Sequence, residues 1–132
     1  MLEKGILLID DNKVTSFILS RLIERTEENC KLKDCGTAYE ALKCLEECEP
    51  KGEFPHIIFL DINMPIMDGF DFLDKYMEQY FHSHPQTQVI VFTSSIMPSD
   101  RAHAAQYPCV SDFVLKPITE EKLREILAMA EV

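Results

Sequence analysis

The chain has 132 residues, enough for one domain with a hydrophobic core and too few for a second domain of ordinary size. Hydrophobic residues make up 46% and charged residues 27%, a balance that is ordinary for a globular protein and argues against disorder. Thirteen Lys and Arg against 23 Asp and Glu give a net charge of −10, which disfavours nucleic-acid binding through phosphate contacts.

The first apolar run, residues 5–9 (GILLI), is followed directly by Asp10 and Asp11. It is too short for the apolar part of a signal peptide or for a membrane span, so we expect a cytoplasmic protein without a membrane segment. We interpret this run as the first strand.

Three further apolar runs follow along the chain: residues 56–60 (HIIFL), 89–92 (VIVF) and 113–115 (FVL). None of them alternates apolar and polar residues, which is typical of strands that are covered on both faces in a parallel sheet. Another strand is predicted over residues 30–35 (CKLKDC). Because it is the most polar of the five, we expect it at an edge of the sheet.

Three predicted helices carry an apolar stripe at spacings of three and four residues, and we expect each stripe to face the sheet. In chain order the stripes are Val14, Phe17, Ile18 and Leu22; Ala38, Ala41, Leu42 and Leu45; and Leu123, Ile126, Leu127 and Ala130. Residues 37–40 (TAYE) predict a capping box, and Thr119 followed by two glutamates predicts another helix start.

Two weaker helical patterns complete the alternation. One begins after Gly69. Its inward-facing residues are expected to be Phe70, Leu73 and Met77. The other covers about residues 99–106. Strand and helix thus alternate through the chain, which predicts an α/β fold of the flavodoxin-like (βα)5 type: a doubly wound, five-stranded parallel sheet in the order 2-1-3-4-5.

Polar side chains follow four of the predicted strands at the point where each strand ends. Asp10 and Asp11 follow the first run, Asp61 and Thr93 follow two central runs, and Lys116 follows the last. Ligands bind at this carboxyl edge of open parallel sheets. Three carboxylates gathered there repel one another, so a positive charge must compensate them.

The residue types at this edge favour phosphoryl chemistry. Asp10, Asp11 and Asp61, with a backbone carbonyl just beyond Asp61, make an all-oxygen site suited to Mg²⁺. Lys116 supplies a second positive charge and Thr93 a hydroxyl donor. An aspartate in that setting is equipped to attack a phosphoryl group and hold the resulting acyl phosphate. Each residue alone is more simply a helix cap or turn residue; the joint pattern favours the chemistry.

Four stretches together resemble the response-regulator receiver domains of the stand-alone, chemotaxis-regulator kind. They are LLIDDNK (7–13), FLDINMPIMDG (59–69), VIVFTSS (89–95) and FVLKP (113–117). The resemblance runs from about residue 4 to the C-terminus. It implies a single receiver domain over residues 1–132 with no separate output domain.

The resemblance also implies a role for each residue of the site. Asp61 is expected as the phosphoacceptor, Asp10 and Asp11 as the acidic pair at Mg²⁺, Asn63 as the source of a backbone carbonyl ligand, Lys116 as the contact to the phosphoryl group, Thr93 as the switch hydroxyl and Phe113 as the switch aromatic. The implied phosphoryl donor is a histidine kinase or a histidine phosphotransfer protein. The implied output is altered binding of an unknown protein partner by the face of the fourth helix, fifth strand and fifth helix, with neither nucleic acid nor membrane as a partner.

Three departures from the family pattern concern the switch region. One residue more than the commonest spacing separates Thr93 from Lys116, so Ser94 is an alternative switch hydroxyl; we prefer Thr93 because it follows the apolar run directly. Residues 106–113 (QYPCVSDF) replace the usual small Gly-Ala step before the last strand. Phe113 lacks the hydroxyl of a tyrosine, which removes one hydrogen bond without preventing a change of rotamer.

Two other functions fit parts of the pattern. A Mg²⁺-dependent phosphatase of the haloacid-dehalogenase kind also forms an aspartyl phosphate, but it has two acids two residues apart after the first strand, where this chain has Asp10 and Asn12. A pseudo-receiver would act only as a constitutive protein-binding module, although the acidic site lacks no residue. We therefore expect a switch that catalyses only its own phosphotransfer and dephosphorylation, and no metabolic enzyme.

The five cysteines form no CxxC pair, so a disulfide framework or a zinc knuckle is poorly supported and reduced thiols are expected. Cys44 and Cys48 are four residues apart and would share a helix face, which could begin a metal site. No histidine has the matching spacing.

Overall fold

The computed structural model describes residues 3–130. Five strands form one sheet: β1 (Lys4–Ile9), β2 (Cys30–Cys35), β3 (Ile57–Leu60), β4 (Gln88–Thr93) and β5 (Val110–Leu115). All neighbouring strands are parallel, and the order is β2-β1-β3-β4-β5. The predicted fold class and strand order are therefore confirmed, and the polar strand β2 lies at an edge as expected.

Helices cover both faces of this sheet. They are α1 (Lys13–Thr26), α2 (Ala38–Cys48), α3 (Gly69–Gln79), α4 (Pro98–Ala104) and α5 (Glu120–Met129), with a 3-10 turn at Glu49–Lys51. One core cluster joins α2 and α3 to one face of the sheet, and a second joins α1 and α5 to the other. In β3, Ile58 and Leu60 enter the first cluster while Ile57 and Phe59 enter the second. This two-sided burial explains why β3 is apolar at every position.

The predicted stripes of α2 and α5 are packed inward. The stripe predicted for α1 is wrong for three of its four residues, and only Leu22 is half-buried against the second core cluster. Phe17 is 60% exposed, and Val14 and Ile18 are also exposed. The buried residues of α1 are instead Thr15, Leu19, Ile23 and Thr26. A threonine can be buried on a helix because its hydroxyl can bond to the preceding turn, as Thr26 Oγ1 does by donating to the Ile23 carbonyl at 2.6 Å. Counting threonine as polar shifted the prediction to the wrong face.

Details of α3 and α4 also differ from the predictions. Phe72 and Tyr76 are fully buried together with Leu73, whereas Phe70 and Met77 are only half-buried. Helix α4 has seven residues, about two turns, and is shifted toward the N-terminus of the predicted range because Pro98 begins the helix.

Helix starts follow the expected chemistry with one correction. Thr37 and Thr119 accept backbone N–H bonds from Glu40 and Lys122. The Glu40 carboxylate accepts from the N–H of Gly36, outside the helix, so only half of the predicted capping box forms. A complete reciprocal box occurs instead at the start of α3.

Candidate functional site

The carboxyl ends of β1, β3, β4 and β5 lie side by side and carry the predicted site residues. The N–H of Asp61 donates to the Ile9 carbonyl at 2.9 Å, which ties the end of β3 to the end of β1. The N–H of Lys116 donates to the Thr93 carbonyl at 2.9 Å, which ties the end of β5 to the end of β4. The sheet register therefore brings together residues that are up to 106 positions apart in the chain.

Three carboxylates meet at this edge. Oxygen atoms of Asp10, Asp11 and Asp61 lie within 4.8 Å of one another, and residues 3–130 contain no other group of three potential metal-binding side chains this close. Asp10 and Asp61 are buried, whereas Asp11 is exposed. Backbone N–H groups orient the buried pair: Asn12 donates to Asp10 Oδ1 at 2.8 Å and Asn63 donates to Asp61 Oδ1 at 3.0 Å.

Lys116 is the cation of the site. Its Nζ donates to Asp10 Oδ2 at 2.5 Å and to Asp61 Oδ2 at 3.3 Å, and it lies 5.7 Å from the centre of the Phe92 ring. The peptide bond between Lys116 and Pro117 is cis. Three carboxylates against one ammonium leave two negative charges uncompensated, and these donors are all oxygens. The residues therefore fit a divalent hard cation such as Mg²⁺.

The pKa of the Asp61 carboxyl lies above its ordinary value. Burial is the largest cause, and the nearby Asp10 carboxylate acts in the same direction. The Asn63 N–H and the Lys116 ammonium oppose this rise without cancelling it. A further cation beside Asp61 would stabilise the ionised form that can act as a nucleophile.

Thr93 lies at the end of β4 and is completely buried. Its hydroxyl accepts hydrogen bonds from the side-chain Nδ2 of Asn63 at 3.3 Å and from the N–H of Ser95 at 3.2 Å. Ser94, the alternative switch residue, is exposed. The sequence resemblance implied a backbone role for Asn63 at the metal. Its amide contact with Thr93 had no signal in the sequence, because the two residues are 30 positions apart.

A β-bulge accounts for the extra residue between Thr93 and Lys116. Val89 pairs with Val110 but the next residue, Ile90, pairs with Asp112, which leaves Ser111 without a partner on β4. Beyond the bulge the strands are in register again, and Thr93 is opposite Leu115. Lys116 therefore reaches the sheet edge despite the longer spacing.

Phe113 lies on β5 and is half-buried against a small cluster formed by Ile62, Val91 and Ala104. The guanidinium carbon of Arg101, on α4, lies 5.2 Å from the centre of the Phe113 ring. The aromatic side chain thus connects the interior beneath β4 to the exposed surface of α4 and β5.

Exposed apolar residues flank the acidic site. Ile66 is 93% exposed and Ile96 is 81% exposed, each in a loop that leaves the carboxyl edge of the sheet. Ile66 also has a positive φ of 70°, which is unfavourable for a β-branched residue. Val14, at the start of α1, is exposed as well. The exposure of Ile66 and Ile96 could not be predicted from sequence, because isolated apolar loop residues show no periodicity.

The chain matches one protein family and resembles parts of longer signalling proteins. The family described as "Response regulator receiver domain" matches residues 6–128. Hybrid signal transduction histidine kinase L of Dictyostelium discoideum is 29% identical over 123 residues, which are 92% of this chain and 7% of that protein. A protein-glutamate methylesterase/protein-glutamine glutaminase of Shewanella oneidensis is 31% identical over 110 residues, 83% of this chain and 28% of that protein. The chain therefore spans only a small part of these relatives.

Solved structures have the same fold. A two component response regulator from Cytophaga hutchinsonii is 28% identical and superposes with a TM-score of 0.86, covering 95% of this chain and 94% of that one. The Vibrio cholerae chemotaxis protein CheY4 superposes with a TM-score of 0.77 over 98% of this chain and all of that one, at 20% identity. Within residues 3–130, no helix is long and apolar enough to cross a membrane.

Proposed function

Because the chain belongs to the response regulator receiver domain family of two-component signalling, we propose that it is a phosphorylation-activated switch with Asp61 as its phosphoacceptor. The main support is the position of Asp61, whose carboxylate lies within 4.8 Å of the Asp10 and Asp11 oxygens and 3.3 Å from the Lys116 ammonium. In this proposal residues 1–132 form one receiver domain, and its own surface binds the downstream partner.

Receiver domains typically bind Mg²⁺ at an acidic cluster, and the oxygen donors of this site fit that ion. Asp10, Asp11, Asp61 and the backbone carbonyl of Asn63 would hold it. When bound, Mg²⁺ supplies charge neutralisation for the carboxylates and for the transferred phosphoryl oxygens.

In the proposed reaction an Asp61 carboxylate oxygen attacks the phosphorus of a phosphohistidine on a histidine kinase or phosphotransfer protein. The new O–P bond forms as the P–N bond breaks, and the electron pair of that bond remains on the imidazole nitrogen of the donor. Lys116 already contacts Asp61 Oδ2, so its ammonium is placed to hold a phosphoryl oxygen of the product.

Thr93 is the proposed sensor of the phosphoryl group. Its hydroxyl oxygen accepts two hydrogen bonds in this structure, which leaves its proton to be donated to a phosphoryl oxygen. Movement of Thr93 toward Asp61 would break its contact with Asn63 and change the packing beneath Phe113. The changed surface of α4, β5 and α5, including Arg101 over the Phe113 ring, would then bind a downstream protein partner.

An exposed apolar patch beside the site also supports a protein as the phosphoryl donor. The exposed apolar residues Val14, Phe17 and Ile18 of α1 form a patch that begins three residues after Asp11. Apolar surface next to a reaction site favours docking of another protein. The esterase activity in the names of some relatives belongs to much longer proteins, and a receiver domain is a signalling module.

The proposal is tested by intact-mass measurement after incubation with acetyl phosphate, with Mg²⁺ and with EDTA. We expect one Mg²⁺-dependent phosphoryl adduct in the wild type and none in Asp61→Asn. Asp74→Asn is the matched control, because Asp74 is an exposed aspartate of α3 outside the site, and it should be labelled normally. Full labelling of Asp61→Asn would contradict the assignment, and absence of any adduct in the wild type would favour a constitutive binding module.

A further inference from the structure

Two thiols lie in contact on the last turn of α2. The Sγ atoms of Cys44 and Cys48 are 3.8 Å apart. Cys44 is 6% exposed and Cys48 is half-buried, and both line a cleft of about 500 Å³. Glu3, Gly5, Ile6 and Leu7, at and near the start of β1, also line this cleft, as does His56, which precedes β3. It therefore lies at the amino edge of the sheet, opposite the acidic site.

The separation of the two sulfurs suits a bound metal ion better than a disulfide. Two thiolates that each lie about 2.3 Å from a tetrahedral Zn²⁺ are about 3.8 Å from each other. A disulfide requires Cβ atoms about 3.5–4.5 Å apart, whereas residues one helical turn apart have Cβ atoms about 5–6 Å apart. The metal would thus fit the helix as it stands, and the disulfide would distort it.

From this geometry we propose that Cys44 and Cys48 bind a thiophilic divalent cation of the Zn²⁺ class, independently of the Mg²⁺ site. Binding replaces the two thiol protons, which leave to solvent, with two metal–sulfur bonds. The side chain of Lys33 also lines the cleft.

The chain supplies only these two strong ligands. His56 lines the cleft, but its Nδ1 accepts a hydrogen bond from the N–H of Gly5 at 2.9 Å, so Nε2 of the neutral ring carries the proton. Neither nitrogen then has a free lone pair for a metal. Among residues 3–130 no carboxylate or imidazole lies within 4.8 Å of both sulfurs, so water would fill the other positions. Such a site is open and exchanges its ion with solvent.

The experiment is a titration of the reduced full chain with Cd²⁺, a thiophilic probe, in excess Mg²⁺ to occupy the acidic site. The readout is the ultraviolet charge-transfer absorption of cadmium thiolates. We expect saturation at one equivalent in the wild type and at least a tenfold loss of affinity in Cys44→Ser and in Cys48→Ser. Cys30→Ser is the matched control, since Cys30 lies on β2 outside the cleft, and it should bind normally.

Two further variants separate this proposal from the others. Asp61→Asn should retain the cadmium absorption, because the thiol site does not use the acidic cluster. Cys48→Ser should retain Mg²⁺-dependent labelling by acetyl phosphate, which also shows that it is folded. No saturable absorption in the wild type, or equal absorption in both cysteine variants, would overturn the metal site. Formation of a Cys44–Cys48 disulfide on treatment with hydrogen peroxide, which is reduced to water, by a protein that binds no Cd²⁺ would overturn it in favour of a redox pair.

Discussion

At the scale of single residues, Lys116 compensates one of the three negative charges that the fold collects at the sheet edge. Its side chain is 15% exposed and contacts two carboxylates that are almost completely buried. Removing one partner of a buried ion pair costs more than the pair contributes, because the remaining charges lose water without gaining a partner. A divalent ion at the same carboxylates would replace part of this compensation.

We expect Lys116→Met, which keeps most of the side-chain volume, to lower the free energy of unfolding by about 3 kcal/mol in EDTA. Mg²⁺ should restore part of the loss by binding the native carboxylates. Urea denaturation with and without Mg²⁺ measures both effects. Lys122→Met is the matched control: Lys122 pairs with Asp112 at 2.7 Å, but both side chains are about one-third exposed, so water screens the pair and the expected cost is much smaller. Equal costs for the two variants would contradict this account.

At the scale of elements, the rotation of α1 about its axis determines which of its residues pack into the core and which are exposed for a partner to contact. The apolar residues Phe17 and Ile18 point to solvent, while Leu19 is 1% exposed in the core. The exposed residues thus form a surface beside the acidic site without contributing much to folding.

This orientation predicts that substitutions at two nearby positions of α1 differ strongly in their effect on stability. Phe17→Ser should change the free energy of unfolding by less than about 0.5 kcal/mol, since it removes exposed surface. Leu19→Ala should cost about 3 kcal/mol, since it leaves a cavity between α1 and the sheet. Chemical denaturation of the two variants measures the difference. A larger loss for Phe17→Ser would restore the stripe first predicted from sequence.

The start of α3 positions the loop that carries Asp61 and Asn63. A Cβ atom placed on Gly69 would lie 2.6 Å from the Ile62 Cα and 2.7 Å from the Asp61 carbonyl oxygen. Only glycine allows this approach, because the clashing atoms are backbone atoms that cannot rotate away.

We therefore expect Gly69→Ala to cost about 2 kcal/mol of stability and to slow acetyl phosphate labelling, because the Asp61 loop must shift. Gly36→Ala is the matched control, since no atom lies within 4 Å of the position of its Cβ. Denaturation and labelling rates should be unchanged in that control. Normal labelling of Gly69→Ala would show that the loop tolerates the shift.

At the scale of the whole molecule, burial of thiols makes stability depend on pH in the alkaline range. Burial raises the pKa of Cys35 to about 12 and that of Cys109 to about 11, from an ordinary value of 9.0. Above pH 9 the unfolded chain loses these protons while the native chain keeps them. The contribution is fully present below about pH 9 and is lost as pH rises toward 11 and 12.

We expect the free energy of unfolding to fall by about 4 kcal/mol, about 2 for each thiol, between about pH 8 and pH 10.5 on account of these two thiols. Other groups titrate in the same range, so the comparison is with the double variant Cys35→Ala, Cys109→Ala. Urea midpoints at the two pH values should differ less in the double variant. An identical fall in both proteins would assign the effect to other groups.

The order of the strands and the residues at their carboxyl ends followed from sequence alone. Uninterrupted apolar runs identify strands covered on both faces, and the alternation of strands with helices restricts the topology to few possibilities. Since parallel strands all end at one edge, Asp10, Asp61, Thr93 and Lys116 could be placed together without coordinates. Local capping residues predicted the starts of α2 and α5 for a similar reason: their bonds span only three residues.

Other features were decided only by tertiary packing. The face that α1 buries depends on how the helix meets the sheet, and two buried threonines concealed it from the hydrophobic pattern. The contact between Asn63 and Thr93 and the bulge at Ser111 depend on pairing across neighbouring strands. The sequence determined which groups share an edge or a helix face because periodicity is a local property of the backbone. Distances between side chains required the fold, because residues far apart in the chain set them.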